Sequence, residues 1–133
     1  MTGIDTNILI YACDRRSEAK QARALNVICG AVDGVILWQV ACEFIAASRK
    51  LESQGFSPVE AWARLSEFLA LFPLVLPTER ALERAKDLHL RKQIAFWDAS
   101  ILGSCLECGV KRLYSEDLPG GVVEGLEIVN PFA

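Results

Sequence analysis

The chain has little of what several functional classes require. It holds one histidine, His89, in 133 residues. Proton relay through a pair of imidazoles, the usual metal-free route to RNA cleavage, therefore has no second partner. No apolar run approaches the roughly 18–20 residues of a membrane helix, so no membrane association is expected. No linker, repeat or low-complexity tract divides the sequence, and residues 1–133 are expected to form one domain. A chain of this length buries roughly two-thirds of its unfolded surface. No basic excess is present either: 14 Lys and Arg stand against 17 Asp and Glu, for a net charge of −3. That balance argues against a simple nucleic-acid-coating protein, although bound divalent cations would reverse its sign.

Five cysteines (Cys13, Cys29, Cys42, Cys105 and Cys108) are odd in number and lie in apolar, helix-like stretches. They are expected to be reduced, small core residues. Cys105 and Cys108 form a C-x-x-C, but no second Cys or His pair stands at zinc-site spacing. No basic leader precedes the first apolar stretch, which Asp5 interrupts, and a cytoplasmic protein is expected. What is present is a 52% hydrophobic, 23% charged chain, which excludes disorder.

Short apolar runs alternate with longer stretches of helical period, the pattern of an α/β fold with a mainly parallel sheet. Strands are expected at Gly3-Ile4-Asp5, Val35-Ile36-Leu37, Leu74-Val75-Leu76 and Arg112-Leu113-Tyr114, with Glu127-Ile128-Val129 as a fifth. Helices are expected over 7–13, 17–29, 39–54 and 98–107, with Gly55 and Gly109 as stops for the third and last. Ser57-Pro58-Val59-Glu60 reads as a capping box with proline at N1. The helix it opens, ended by Pro73, carries Ala61, Trp62, Leu65, Phe68, Leu69 and Phe72 as an apolar stripe, expected in the core first and in a partner interface otherwise. Thr78 is expected to cap a further helix whose Leu82, Ala85, Leu88 and His89 share one packed face.

Ligands of open parallel sheets bind beyond the carboxyl ends of the strands. Asp5 ends the first strand and Asn7 follows it; Glu43 lies one turn into the helix after the second. Ser115, Glu116 and Asp117 follow the fourth, and Asp98 opens the helix leading into it. Taken singly, Asp5, Asn7 and Asp98 have ordinary readings as helix caps or first-turn acids, and Asp117 as a turn residue. For Glu43 a site is the better reading, because Gln39, Val40, Ala46 and Ala47 surround it at helical spacing, only Lys50 offers a cation nearby, and an unpaired buried acid is costly. Four carboxylates gathered at one edge require a counter-charge, since two like charges 4 Å apart repel by about 4 kcal/mol at an effective dielectric near 20. A hard divalent cation, Mg2+ or Mn2+, suits an all-oxygen donor set.

The segments Ile4-Asp5-Thr6-Asn7-Ile8-Leu9, Cys42-Glu43-Phe44, Phe96-Trp97-Asp98-Ala99-Ser100-Ile101 and Leu113-Tyr114-Ser115-Glu116-Asp117-Leu118 stand in the order and spacing of PIN-domain ribonucleases. Over essentially its whole length the chain resembles the VapC-type toxins of bacterial toxin–antitoxin pairs. Ser115 stands where the family often has threonine, and both supply a hydroxyl. The resemblance implies a three-layer α/β fold with a four- or five-stranded, mainly parallel sheet flanked by helices. It also implies an Mg2+-dependent endoribonuclease leaving 5′-phosphate and 3′-hydroxyl ends. Asp5, Glu43, Asp98 and Asp117 would be the metal-binding acids, with Asn7 and Ser115 orienting them. An RNA substrate, a cognate antitoxin and a homodimer follow from the same resemblance. The alternative is a catalytically silent PIN-like module that binds RNA or protein.

Arg16, Lys20 and Arg23 are expected on one helix face, and Arg49-Lys50 and Arg91-Lys92 are further basic pairs. They serve either as solvated surface or as phosphate contacts. A haloacid-dehalogenase-type phosphatase would need a second aspartate where Asn7 stands. A receiver domain would need one near Pro77-Thr78-Glu79, which offers none.

Overall fold

The computed structural model describes residues 1–133. In chain order the elements are β1 (Thr2–Ile4), α1 (Thr6–Cys13), α2 (Glu18–Gly30), β2 (Gly34–Leu37), α3 (Trp38–Ala47), α4 (Pro58–Leu71), β3 (Leu74–Val75), α5 (Glu79–Arg91), α6 (Phe96–Cys108), β4 (Arg112–Tyr114), β5 (Gly121–Val123) and β6 (Leu126–Val129). They form one sheet in the order β3-β2-β1-β4-β6-β5. All pairings are parallel except β5 against β6. Every residue of Gly34–Leu37 is buried, the signature of a strand covered on both faces. The strand order reverses beside β1, whose neighbours are β2 and β4, and this switch point is where such sheets take ligands.

The sheet has six strands, one more than the expected maximum. The additional strand is β5, an edge strand whose Gly121 and Val122 face solvent. Glu124 and Gly125 turn it into β6 with φ of 49° and 90°. Two positive φ values in a two-residue connection are the hairpin geometry that Asn-Gly signals more strongly than Glu-Gly. The expected helix over 39–54 divides after Ala47 into α3 and a 3-10 helix over Ser48–Gln54. The Ser48 hydroxyl donates to the Ile45 carbonyl at 2.7 Å, the back-bonding by which serine bends a helix. Gly55, at φ 81°, ends this segment, and Gly109, at φ 86°, ends α6.

Ser57 caps α4 by accepting from the Glu60 amide at 3.2 Å. The reciprocal arm of the box is replaced by a 3.5 Å contact between the two side chains. Thr78 caps α5 through the Ala81 amide. The packed face of α5 is Ala81, Ala85 and Leu88, while Leu82 is exposed. His89 is exposed too: its Nδ1 lies 2.7 Å from the Ile94 carbonyl and its ring stands edge-on to Phe96, so it ties the turn into α6. On α4, Phe68 packs edge-on against Phe44 in the core, whereas Trp62 points outward. Of the cysteines, Cys13 and Cys105 are buried, Cys108 is half-buried, and Cys29 and Cys42 are exposed. No helix is long and apolar enough to cross a membrane.

The core runs from Ile4 and Ile36 on the sheet through Ile8, Val40 and Leu102 on the helices around it. The backbones of α5 and α6 approach so closely at Gly103 that a Cβ there would lie 2.8 Å from both the Ala81 carbonyl oxygen and the Ala85 nitrogen. Backbone atoms cannot rotate away, so Gly103→Ala must push α6, which carries Asp98, off α5. The expected cost is about 2–3 kcal/mol, the upper range of overpacking, read as a lower urea midpoint with an unchanged slope. Gly30→Ala, with nothing within 4 Å of the new methyl, is the control and should gain about 0.5 kcal/mol.

Candidate active site

Asp5 follows β1 directly and N-caps α1, its Oδ1 accepting from the Thr6 amide at 2.8 Å. Its Oδ2 accepts from the Ser115 hydroxyl at 2.7 Å. Ser115 follows β4, is fully buried, and accepts from the Leu118 amide at 3.3 Å. The capping role of Asp5 is thus real, and it holds the same carboxylate, only 5% exposed, at the switch point. Asn7, the next polar residue of α1, donates from Nδ2 to Asp117 Oδ2 at 3.1 Å and accepts from the Glu116 amide at 3.1 Å.

Glu43 stands on α3, which begins at the residue after β2. Its Oε2 accepts from Thr6 Oγ1 at 3.0 Å and its Oε1 from Gln39 Nε2 at 2.8 Å. Gln39 also accepts from Ser100 Oγ at 2.7 Å and reaches the Trp97 carbonyl at 3.3 Å. It therefore bridges Glu43 to the first turn of α6, where Asp98 sits third. Asp98 is half-buried there and its side chain makes no hydrogen bond with the rest of the chain. Thr6, Gln39 and Ser100 belong to this arrangement and were not singled out as site residues on sequence grounds. The Gln39–Glu43 spacing of four was the one available signal for any of them.

None of the four acids forms an ion pair with a Lys, Arg or His side chain. Burial pushes the Asp5 carboxyl above its ordinary range, and the charges of Glu43 and Asp117 push it further, against the pull of the Ser115 and Thr6 hydrogen bonds. Burial likewise raises Asp98, followed by Asp117 and Glu43. The four acids thus share one electrostatic field at the edge formed by β1, β2 and β4. They are not drawn into contact: no three Asp, Glu, His or Cys side chains stand close enough to ligate one ion together. Mg2+ keeps several waters and takes only one or two carboxylates, so a spaced, all-oxygen donor set with no cation inside it fits that ion.

A cavity of about 630 Å3 opens beside the acids, and its lining includes Glu43 and Asp117 together with Arg16 and Lys50. Arg16 lies ahead of α2, off the helix face expected for it, and pairs with Asp14 at 3.0 Å. That contact holds the Asp14 carboxyl down to about 2. Lys20 is taken up by Glu116 at 2.8 Å, and Arg91 by Asp87 and Glu124. Arg23, Arg49, Lys50 and Lys92 form no ion pair. A second cavity of about 610 Å3, near Arg15 and Arg64, contains none of the four acids.

Because Asp5 and Asp98 are raised in the folded protein, folding favours their protonated forms. Without divalent cations, the contribution of these two acids to stability is therefore full below the ordinary 3.8 and is lost as pH rises through the elevated values. Asp5→Asn should flatten that fall. In EDTA at pH 7 it should raise the melting temperature by about 3–5 °C, for about 1 kcal/mol of relieved repulsion. Thermal melts between pH 4 and 8 check this. A lower melting temperature for the variant would mean that the hydrogen bonds from Ser115 and Thr6 outweigh the repulsion.

The PIN domain family model matches residues 4–118, from the end of β1 past Asp117, and so spans all four acids. Comparison with curated proteins gives no match. Among solved structures the chain is similar to one in a toxin–antitoxin complex from Klebsiella pneumoniae, with 24% identity, 98% of each chain covered and a TM-score of 0.68. It is similar to VapC20 of Mycobacterium tuberculosis, described as a sarcin-ricin loop cleaving toxin, with 15% identity, 88% of this chain and 90% of that one covered, and a TM-score of 0.71. It is also similar to a chain of VapBC2 from Rickettsia felis, bound to a DNA fragment from the promoter, with 14% identity, 97% of each chain covered and a TM-score of 0.66. At these identities the structural likeness is one of fold, while the family match rests on the sequence itself. By that match the chain belongs to the PIN domain family.

Proposed function

We propose that this PIN domain is a divalent-cation-dependent endoribonuclease of the VapC kind, the toxin of a toxin–antitoxin pair. The observation that carries the reading is the set of four carboxylates in one field with no cationic side chain paired to any of them. Asp5, Glu43, Asp98 and Asp117 would hold Mg2+, or Mn2+ in its place. When bound, the cation supplies Lewis acidity to the phosphodiester and acidifies water for attack on it. Ser115 and the Thr6 amide fix the orientation of Asp5. Thr6 and Gln39 fix Glu43, and Asn7 fixes Asp117. Asp98 keeps both oxygens clear of protein donors. Lys50 and Arg16, which line the same cavity as Glu43 and Asp117, would meet the phosphates of the RNA strand.

Antitoxin binding and homodimer formation belong to the same proposal. An apolar cleft of about 390 Å3 lined by Trp38, Cys42, Ile45, Trp62, Leu69 and neighbouring residues leaves Trp38 49% and Trp62 59% exposed. Exposed apolar surface of this kind favours a protein partner. The silent-module reading has one observation behind it, the lack of any three acids at ligating distance.

Cleavage of total cellular RNA separates the two. The wild-type protein should cleave with Mg2+ and not with EDTA, and Asp5→Asn and Asp98→Asn should each lose about a hundredfold or more of the rate. Calorimetry should show Mg2+ binding to the wild type that either substitution weakens. Equal RNA degradation in every arm, or no Mg2+ binding by the wild type, refutes the enzyme.

A further inference from the structure

Along α1, three polar side chains reach separate parts of the site: Thr6 bonds Glu43, Asn7 bonds Asp117, and Tyr11, one turn beyond Asn7, bonds Glu116. The Tyr11 hydroxyl donates to Glu116 Oε1 at 2.7 Å. Lys20, on α2, donates to Glu116 Oε2 at 2.8 Å and to the Tyr11 hydroxyl at 3.0 Å. Its ammonium also lies 4.5 Å from the Tyr11 ring centroid and 5.5 Å from that of Phe132, and the two rings meet edge-on at 4.8 Å. Both carboxylate oxygens of Glu116 are thereby engaged, while Asn7 holds its amide. Ser115 and Leu118, on either side, are buried. Asp117 is the exposed residue between them, and Asn7 donates its single hydrogen bond. The position of Asp117 is therefore set by its flanks.

We propose that Lys20, Tyr11 and Glu116 form a clasp that fixes the turn from Ser115 to Leu118 and so sets where Asp117 stands in the acidic site. The inference rests on reading Asp117 as a metal-binding acid. The three are positioning residues. Lys20 has a second effect: it neutralises the carboxylate adjoining Asp117, which would otherwise compete for the cation and repel the RNA backbone. Networks that share donors and acceptors in this way hold geometry better than isolated surface pairs, which contribute little.

The test compares the wild type with Lys20→Met, Lys20→Arg and Tyr11→Phe by two measurements. The first is amide hydrogen exchange in EDTA, which needs no metal and no activity. Protection of the Glu116 and Leu118 amides should fall about tenfold in Lys20→Met, with the Leu102 amide in α6 unchanged, and Lys20→Arg should restore it. The second is Mg2+ titration of RNA cleavage. Its midpoint should rise about tenfold in Lys20→Met, the scale of losses around metal sites, with kcat at saturating Mg2+ within about twofold of wild type. Tyr11→Phe keeps the ring against Phe132 and loses only the hydroxyl; it should show the same pattern at about threefold, and it serves where Lys20→Met folds poorly. Unchanged exchange at Glu116 and Leu118 overturns the clasp. A higher KM for RNA with an unmoved Mg2+ midpoint overturns it as well and makes Lys20 a phosphate contact. A wild type that cleaves no RNA refutes the proposed function instead, and the exchange result then decides the clasp alone.

Discussion

The hydrogen bond from the Ser115 hydroxyl to the buried Asp5 carboxylate is the contact on which the rest depends. It joins the end of β1 to the end of β4, the two strands that meet at the switch point. The same carboxylate opens α1, so the direction of that helix, the seam between two strands and the deepest acid of the site are fixed together. From α1 follow Thr6 toward Glu43 and Asn7 toward Asp117. Moving Asp5 would displace every other acid except Asp98, which is placed separately by Gln39 and Ser100 between α3 and α6.

The arrangement is held against its own charge. Two carboxylates about 8 Å apart repel by about 2 kcal/mol at an effective dielectric near 20. Neutral donors offset part of this: Ser115, Thr6, Gln39 and Asn7 each give a hydrogen bond to an acid without contributing a cation. A guanidinium paired with these acids would offset more of their repulsion and close the site to a metal. Of the nearby cations, Arg16 pairs with Asp14 and Lys20 with Glu116, while Lys50 pairs with no acid, and the four site acids have no cationic partner. A chain with net charge −3 can therefore present a strongly anionic pocket beside basic side chains, because local pairing decides which charges face outward.

Where a carboxylate follows a strand or opens a helix, its place in the fold is legible from the run of apolar residues before it. That is why Asp5, Glu43, Asp98 and Asp117 could be nominated by position and why the parallel α/β order was readable. Local pattern fails where the deciding contact is distant. Gln39 meets Ser100 across 61 positions and Lys20 meets Glu116 across 96, and no periodicity encodes either. It also fails by phase: on α5 the buried face turns on the small Ala81, while the larger and more conspicuous Leu82 points to water. Trp62 fails for a similar reason, because a stripe at helical spacing is wider than the face the core covers. The short hairpin strand β5 has two of its three residues exposed, and Val122-Val123 is too short an apolar pair to mark a strand.

The spacing of the acids bears on how such a site can be stable and still bind. Carboxylates packed at ligating distance without an ion would add repulsion to the desolvation that already raises Asp5, and the fold would be weakened in proportion. Carboxylates fully dispersed would form no shared field and would hold no ion. The observed arrangement lies between these limits. Asp5 is rigid, buried and doubly hydrogen-bonded; Glu43 is bonded at both oxygens; Asp117 rides on a turn held at its flanks; Asp98 has no partner at all. This is a gradient of constraint from the strand ends outward, with the least restrained acids where an incoming cation and its waters must be accommodated. The rigid end is determined by folding, and the free end is the part that a ligand can still organise.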